Sequence, residues 1–311
     1  MQAISQSEYG GPEVLEQVEV ARPEPLPTEV LVRVHAAGVN PVDWKTRAGG
    51  GMAGVLGEPP FILGWDVSGV VEEVGFGVTR WKPGDEVYGM PWFPRAAGAY
   101  AEYVTAPARQ FARKPATISH EQAGAVPLAA LTAWQALVDT AKVEAGQRVL
   151  ILAGAGGVGH LAIQFARHLG AYVITTSTAG KHGWLRELGA AETVDYTTTA
   201  FDEVVRDVDV VLDLVGDGHR SLKVLRPDGL LVAIPSGVSP DLLDSARTLG
   251  VRATPFLVEP DGTALARIAD LIDREEVAVE VEAVLPLEHA AEAHRRGEQG
   301  HTRGKIVLSL H

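Results

Sequence analysis

The sequence predicts an α/β chain in which a doubly wound parallel sheet is inserted between β-rich segments from the two ends. Three observations carry that reading. Strand-like apolar runs alternate with helical patterns from about residue 119 to about residue 258. Within that region, residues 147–170 join a β-branched apolar run, a glycine-rich turn and an amphipathic helix without interruption. On either side of it, short alternating strands are punctuated by Gly and Pro turns.

The N-terminal part reads as strands at 14–20 and 30–34, divided by the stiff loop Arg22-Pro23-Glu24-Pro25-Leu26-Pro27. Strand pattern resumes at 65–74, and Lys82-Pro83-Gly84-Asp85 turns the chain into Glu86-Val87-Tyr88-Gly89. Strands of this kind predict a small β-rich domain that ends near Pro115. Beyond it, strands fall at 172–176, 193–195, 208–215, 230–234 and 253–258, with helical segments at 181–188, 202–206 and 221–225. The tail returns to the first style, with a strand at 277–285, a helix at 288–296 and a strand at 305–310. The expected domains are 1–118 together with 275–311, and 119–274 between them.

The glycine-rich turn carries the first chemical signal. Gly154, Gly156 and Gly159 form G-x-G-x-x-G directly after the apolar run. Glycine serves there for a tight turn, for close backbone approach to a pyrophosphate and for close packing of helix on strand. Val158, Leu161, Ala162, Phe165 and Leu169 then fall at helical spacing, and Gly170 suits the residue just past a helix end. The N-terminus of that helix offers unpaired N–H groups to phosphates. Strand, motif and helix in succession predict dinucleotide binding.

Composition bounds the alternatives. A length of 311 residues suits about two domains, and the net charge of −13 disfavours nucleic acid and anionic membrane as partners. The chain has no cysteine, which removes disulfides, a thiolate nucleophile and thiolate metal sites, and suits a reducing compartment. No charged segment followed by an apolar one marks a signal peptide, and the most apolar stretch, 123–138, is interrupted by Pro127, Trp134 and Gln135. A soluble cytoplasmic protein is expected.

Several short motifs appear in one order: Gly38-Val39-Asn40-Pro41-Val42-Asp43, Gly64-Trp65-Asp66-Val67-Ser68-Gly69, Pro83-Gly84-Asp85-Glu86-Val87-Tyr88-Gly89, Leu131-Thr132-Ala133-Trp134, the glycine motif, and Arg303-Gly304-Lys305-Ile306-Val307-Leu308. Together they resemble the medium-chain dehydrogenase/reductase superfamily, specifically its zinc-free quinone oxidoreductase (zeta-crystallin-like) branch. The resemblance spans essentially the whole chain. It implies a GroES-like β-rich catalytic domain, a Rossmann NADP-binding domain and a homodimer. Asn40 resembles an active-site asparagine of that branch and Thr132 a threonine near the nicotinamide. Lys45 stands where the best-known members carry tyrosine and resembles the enone-reductase members instead, so it can bind or protonate a carbonyl oxygen or sit as a solvated helix lysine. Asp43 is read as a helix N-cap. Trp44, Trp92 and Phe93 are candidates for the walls of a flat apolar pocket, or for core packing.

Zinc is not expected, because Asn40 and Gly64-Trp65-Asp66 stand where zinc-dependent members carry cysteine and Gly-His-Glu. His35, alone in an apolar strand, reads as structural. Cofactor choice turns on the end of the second Rossmann strand, where NAD-binding domains place an acid. Residues 174–182 contain none; Ser177, Thr178 and Lys181 suit a 2′-phosphate instead, and Tyr196 resembles a tyrosine placed near it. Gly157 and Val158 complete the phosphate turn, and the resemblance implies further cofactor contacts at Val215, Pro235, Ser236, Arg303 and Lys305. The expected protein is an NADPH-dependent oxidoreductase acting on a small quinone or α,β-unsaturated carbonyl compound. The alternatives are a metal-free alcohol/ketone oxidoreductase and an NADPH-binding structural or regulatory protein.

Overall fold

The structure is a computed structural model that describes residues 1–235 and 237–310. In chain order the strands are β1 (Gln2–Gln6), β2 (Leu15–Glu19), β3 (Glu29–Val39), β4 (Phe61–Ile62), β5 (Val67–Val74), β6 (Glu86–Gly89), β7 (Tyr103–Pro107), β8 (Phe111–Arg113), β9 (Arg148–Ile151), β10 (Tyr172–Ser177), β11 (Glu192–Asp195), β12 (Val208–Asp213), β13 (Leu225–Ala233), β14 (Arg252–Pro255), β15 (Val281–Pro286) and β16 (Lys305–Ser309). The helices are α1 (Pro41–Arg47), α2 (Ala53–Leu56), α3 (His120–Gly124), α4 (Pro127–Trp134), α5 (Gly157–His168), α6 (His182–Leu188), α7 (Phe201–Val204), α8 (Gly218–Val224), α9 (Pro240–Leu249), α10 (Gly262–Asp273) and α11 (Ala290–Glu298). None of the described helices is long and apolar enough to cross a membrane.

The chain divides into two compact units: residues 1–131, 259–275 and 279–311 form one, residues 132–258 and 276–278 the other. The expected division put 119–131 and 259–274 with the nucleotide-binding segment, whereas they fall in the first unit. Packing explains the placement of 259–274. The Tyr88 hydroxyl donates to the Leu265 carbonyl at 2.6 Å, and α10 lies against β8 so closely that a Cβ at Gly262 would stand 2.7 Å from the Phe111 carbonyl oxygen.

The first unit is built on a sheet of order β15-β16-β3-β5-β6-β8, with β7 also paired to β3, and on a small sheet β2-β1-β4. Only the β15–β16 pair of the larger sheet is parallel. Its core gathers Val30, Val32, Val34, Val67, Val87, Phe111, Ile306 and Leu308, inward positions of these strands, with Tyr100 from the loop before β7. β3 matters most for the site. Eleven residues long and largely buried, it ends at Val39 and delivers Asn40 and α1 directly afterwards.

The second unit is a six-stranded parallel sheet of order β11-β10-β9-β12-β13-β14. The strand order reverses between β9 and β12, and ligands of doubly wound sheets bind outside the carboxyl ends of the strands at such a point. β9 is central, and Val149, Leu150 and Ile151 are completely buried, as expected for a parallel strand covered on both faces. The α/β class, the doubly wound parallel sheet and the β-rich flanking segments all appear as the sequence predicts. Observed strand ends differ from those read in the sequence by up to five residues, most at β3, which ends at Val39 rather than Val34, and at β13, which begins at Leu225 rather than Leu230.

Candidate active site

In the second unit, the turn after β9 has a distinct reason for each motif glycine. A Cβ at Gly154 would stand 1.9 Å from Thr175 Oγ1 on β10, and one at Gly159 would stand 2.4 Å from the Ala153 carbonyl oxygen. Those two glycines let the turn lie against its neighbours. At Gly156 the nearest atom to a Cβ is 3.4 Å away, so its own protein leaves room there. Gly156 is the N-cap of α5, and the N–H groups of Gly157 and Val158 open the first turn. The turn is tied to β10 by Gly154 N donating to the Thr176 carbonyl at 2.9 Å and by Ala153 N donating to Thr176 Oγ1 at 3.0 Å. The arrangement is a backbone cradle at a helix N-terminus, suited to an anion.

The expected cofactor residues after β10, β11, β12 and β13 lie along the same carboxyl edge. Ser177 ends β10 and Thr178 caps the short turn that holds Lys181. Tyr196 follows β11, 53% exposed, and its N–H donates to the Ser177 carbonyl at 3.3 Å. Val215 follows β12, where Asp213 Oδ1 accepts the N–H groups of Val215 and Gly216 at 2.9 and 2.8 Å and shapes the loop. Pro235 follows β13 and is exposed; Ser236 lies outside the described residues. Thr132 is buried on α4. One neighbour escaped the sequence reading: Asp195 pairs in register with Ser177, so a carboxylate stands beside the acid-free strand end. It accepts from Thr197 N and Oγ1 at 2.9 and 2.7 Å, and these bonds hold its pKa below the ordinary carboxylate value.

The first unit holds the remaining candidates. Asn40, not Asp43, is the N-cap of α1; Pro41 follows at the first helical position, and Asp43 at the third reaches back so that its Oδ2 accepts Asn40 N at 2.6 Å. The Asn40 side chain is 2% exposed and gripped at both ends. Its Nδ2 donates to Asp66 Oδ2 at 2.7 Å, and its Oδ1 accepts from Lys305 Nζ. Lysine can only donate and a carboxylate can only accept, so the two partners fix the amide orientation and leave one N–H of Asn40 uncommitted.

Lys305 corrects an expectation. It was placed on the cofactor, but its ammonium is buried, donates to the Val39 carbonyl at 3.0 Å and to Asn40, and lies 3.5 Å from Asp66 Oδ2. Three acceptors account for its three hydrogens and leave none for a phosphate. Arg303, two residues earlier, pairs with Glu280 at 3.0 Å in the same unit. Asp66 is the residue whose role the sequence did not disclose. Its Oδ1 accepts Leu128 N at 2.6 Å and so starts α4. Burial pushes the Asp66 carboxyl up and the Lys305 ammonium down, and their mutual attraction opposes both shifts.

Lys45 is exposed on α1. The aromatic candidates are packing residues: Trp44 meets His294 edge-on at 6.3 Å, Phe93 meets Trp65 at 5.5 Å, and Trp92 Nε1 donates to the Thr105 carbonyl at 2.8 Å. Tyr100 and His294 were missed altogether; both lie outside every motif, yet the Tyr100 hydroxyl reaches Asp43 Oδ2 at 3.1 Å.

Comparison with known proteins agrees with both halves. Family models described as "Alcohol dehydrogenase GroES-like domain" and "Zinc-binding dehydrogenase" match residues 26–116 and 188–308. The chain is 35% identical over 319 residues to a chloroplastic NADPH-dependent alkenal/one oxidoreductase of Arabidopsis thaliana, covering 99% of this chain and 79% of that one. The solved quinone oxidoreductase from Coxiella burnetii superposes with a TM-score of 0.95 at 38% identity, over 100% of this chain and 99% of that one. A solved NAD-dependent alcohol dehydrogenase superposes with a TM-score of 0.90 at 34% identity, over the whole of both chains. The chain belongs to the medium-chain dehydrogenase/reductase superfamily, on its quinone oxidoreductase (zeta-crystallin-like) branch.

Proposed function

We propose that the chain is an NADPH-dependent, zinc-free oxidoreductase that reduces a small quinone or α,β-unsaturated carbonyl compound. The observation that carries the reading is the cradle at Gly156–Val158 together with the strand end at Ser177, which bears hydroxyls and a nearby lysine instead of an acid. When bound, the dinucleotide supplies the hydride. The N–H groups of Gly157 and Val158 would hold the pyrophosphate, while Ser177, Thr178, Lys181 and Tyr196 would hold the 2′-phosphate. Asn40 would aim its uncommitted N–H at the oxygen on which charge develops, with the exposed Lys45 as a second donor. The assignment of 119–274 as the NADP-binding stretch narrows, on this reading, to the unit formed by 132–258 and 276–278. A cytoplasmic homodimer is part of the same reading, and rests on the resemblance and the absence of cysteine.

The zinc-free part rests on the donor set. Asn40, Trp65 and Asp66 occupy the relevant motif positions, and a lysine ammonium already sits against Asn40 and Asp66. Trp65 is buried, with Nε1 donating to the Arg95 carbonyl at 2.7 Å. An amide, an indole and a carboxylate engaged with lysine do not make the nitrogen and sulfur set zinc prefers.

The likeness to an alcohol dehydrogenase structure supports a second reading, metal-free alcohol–ketone interconversion. Steady-state NADPH oxidation with quinones, enones and saturated ketones separates the two; turnover of saturated ketones alone would favour the second. Cofactor choice is tested by titration. NADPH is expected to bind at least about tenfold more tightly than NADH, about 1.4 kcal/mol, and Lys181→Ala to weaken NADPH selectively. Equal affinities in the wild type would sink the NADPH assignment.

A further inference from the structure

Below Asn40, the first unit buries a chain of polar side chains that the proposed reduction does not yet use. Arg47 Nη1 lies 3.1 Å from His294 Nδ1, His294 Nε2 lies 3.2 Å from the Tyr100 hydroxyl, and that hydroxyl lies 3.1 Å from Asp43 Oδ2. The protons in this chain can be assigned by elimination. Arginine only donates, so His294 Nδ1 accepts and the ring carries its hydrogen on Nε2. His294 therefore donates to the Tyr100 oxygen, and Tyr100 donates onward to Asp43. Burial and the adjacent guanidinium push His294 down to about 3, in agreement with a neutral ring. Arg47 is anchored in turn by Glu298 at 2.6 Å and by the Gly10 carbonyl at 3.1 Å.

All of this ends on one oxygen. Asp43 Oδ2 takes both the Tyr100 hydroxyl and the Asn40 backbone N–H, while Oδ1, fully buried, has no hydrogen-bond partner. An ionised carboxyl would leave half its charge on that bare oxygen. A protonated one removes that charge, with Oδ2 as the doubly accepting carbonyl and an Oδ1 hydroxyl that lacks an acceptor, a smaller cost than a buried unpaired charge. The charged groups facing Asp43 are Asp66, from the loop before β5, and Lys305 of β16; Arg47 and Glu298 lie beyond Tyr100 and His294. Lys305 donates to Val39, Asn40 and Asp66, not to Asp43. Asp66 holds the Asn40 amide, the Leu128 N–H and the ammonium, so it is the carboxyl equipped to be an anion. Lys305 thus hydrogen-bonds one of the two buried carboxyls and acts on the other only at longer range. Burial, reinforced by the Asp66 charge, pushes Asp43 up to about 7.

We propose that Asp43 works as a neutral, proton-holding carboxyl whose charge state governs the Asn40 donor site, as a positioning residue for the reduction proposed above. With Asp43 neutral, Lys305 and Asp66 balance, and the uncommitted Asn40 N–H meets an incoming negative oxygen unopposed. Ionisation of Asp43 adds an anion directly behind the Asn40 backbone N–H and disfavours the same developing charge. The carboxyl loses its proton as pH rises, so the working form is the acidic one and kcat falls on the alkaline side of about pH 7.

The test compares pH profiles and infrared spectra of the wild type and Asp43→Asn, whose amide keeps an acceptor for Tyr100 and Asn40 but cannot ionise. In the wild type kcat is expected to fall at least about tenfold between about pH 6 and about pH 9. Asp43→Asn is expected to flatten that ratio to near one. Tyr100→Phe removes a donor that favours the anion, so its limb should move to higher pH. Independently of activity, the wild-type-minus-Asp43→Asn infrared difference should show a protonated carboxyl stretch at acid pH that disappears as pH passes about 7. A folded Asp43→Asn protein that retains the alkaline limb overturns the proposal, and so does the absence of the carboxyl band. If the band titrates but no quinone or enone is reduced, the neutral carboxyl is supported and the proposed reduction is what has failed.

Discussion

Within α1, neighbouring side chains of similar type meet opposite fates. Arg47 is buried and consumed by Glu298, His294 and the Gly10 carbonyl, whereas Lys45, two residues earlier, is exposed. Two residues turn a helix by about 200°, so the face that buries Asp43 and Arg47 turns Lys45 outward. An exposed ammonium keeps its freedom to reach a substrate oxygen. If it does, the contact strengthens as charge develops, and Lys45→Met should lower kcat more than it raises KM, by on the order of 10²-fold. Methionine preserves the apolar stem, so the change reports charge rather than packing. A variant within about twofold of wild type on an enone would leave Asn40 as the only donor. Asn40 was legible as a candidate because a motif carries it, and Lys45 because it stands two residues beyond that motif. Their partners were not. Tyr100, His294 and Lys305 come to Asn40 and Asp43 across 57 to 265 residues of chain, and no local pattern encodes such a meeting.

At the scale of elements, the turn between β9 and α5 separates what glycine does for the fold from what it does for a ligand. Gly154 and Gly159 are pressed against protein atoms, while Gly156 borders open space. Gly154→Ala and Gly159→Ala are therefore expected to lower the thermal midpoint, because backbone or a buried threonine would have to move. Gly156→Ala should leave the midpoint nearly unchanged and weaken dinucleotide binding about tenfold or more, since its methyl group would project into the cradle. Thermal denaturation and fluorescence titration of the three variants check this; a Gly156→Ala protein that binds as the wild type does would show that the cradle is not the phosphate site. This element was fully legible, because its chemistry is local: strand period, glycine spacing and helix period follow one another within residues 148–168. The segment 259–275 was less so. The sequence reading places no helix there, and α10 is assigned to β8 rather than to the parallel sheet by tertiary contact alone.

For the whole molecule, charge and composition make one further statement. The chain has no cysteine, the ammonium of Lys305 lies against Asp66, and among the described residues no group of three or more His, Asp or Glu is placed to hold a metal ion. Treatment with a chelator is expected to leave both the unfolding midpoint and the activity where they were. Stoichiometric zinc by elemental analysis, with activity lost on its removal, would overturn the zinc-free assignment. The two-unit architecture was legible from the change of pattern along the chain, and the interleaving of the units at 259–278 was not, because short segments of either unit carry the same apolar periodicity.

The same interleaving sets an order of events during synthesis. The amide of Asn40 is oriented by Lys305, and α1 is clamped through Arg47 to His294 and Glu298, partners 247 and 251 residues downstream. When residue 280 has been added, every strand of the parallel sheet has been made, yet the first-made unit still lacks β15, α11 and β16. Domains generally fold as units once their residues have emerged. The dinucleotide cradle can thus be complete while the residues proposed to meet the substrate are still unassembled, and the nascent protein acquires its cofactor site before it acquires its chemistry.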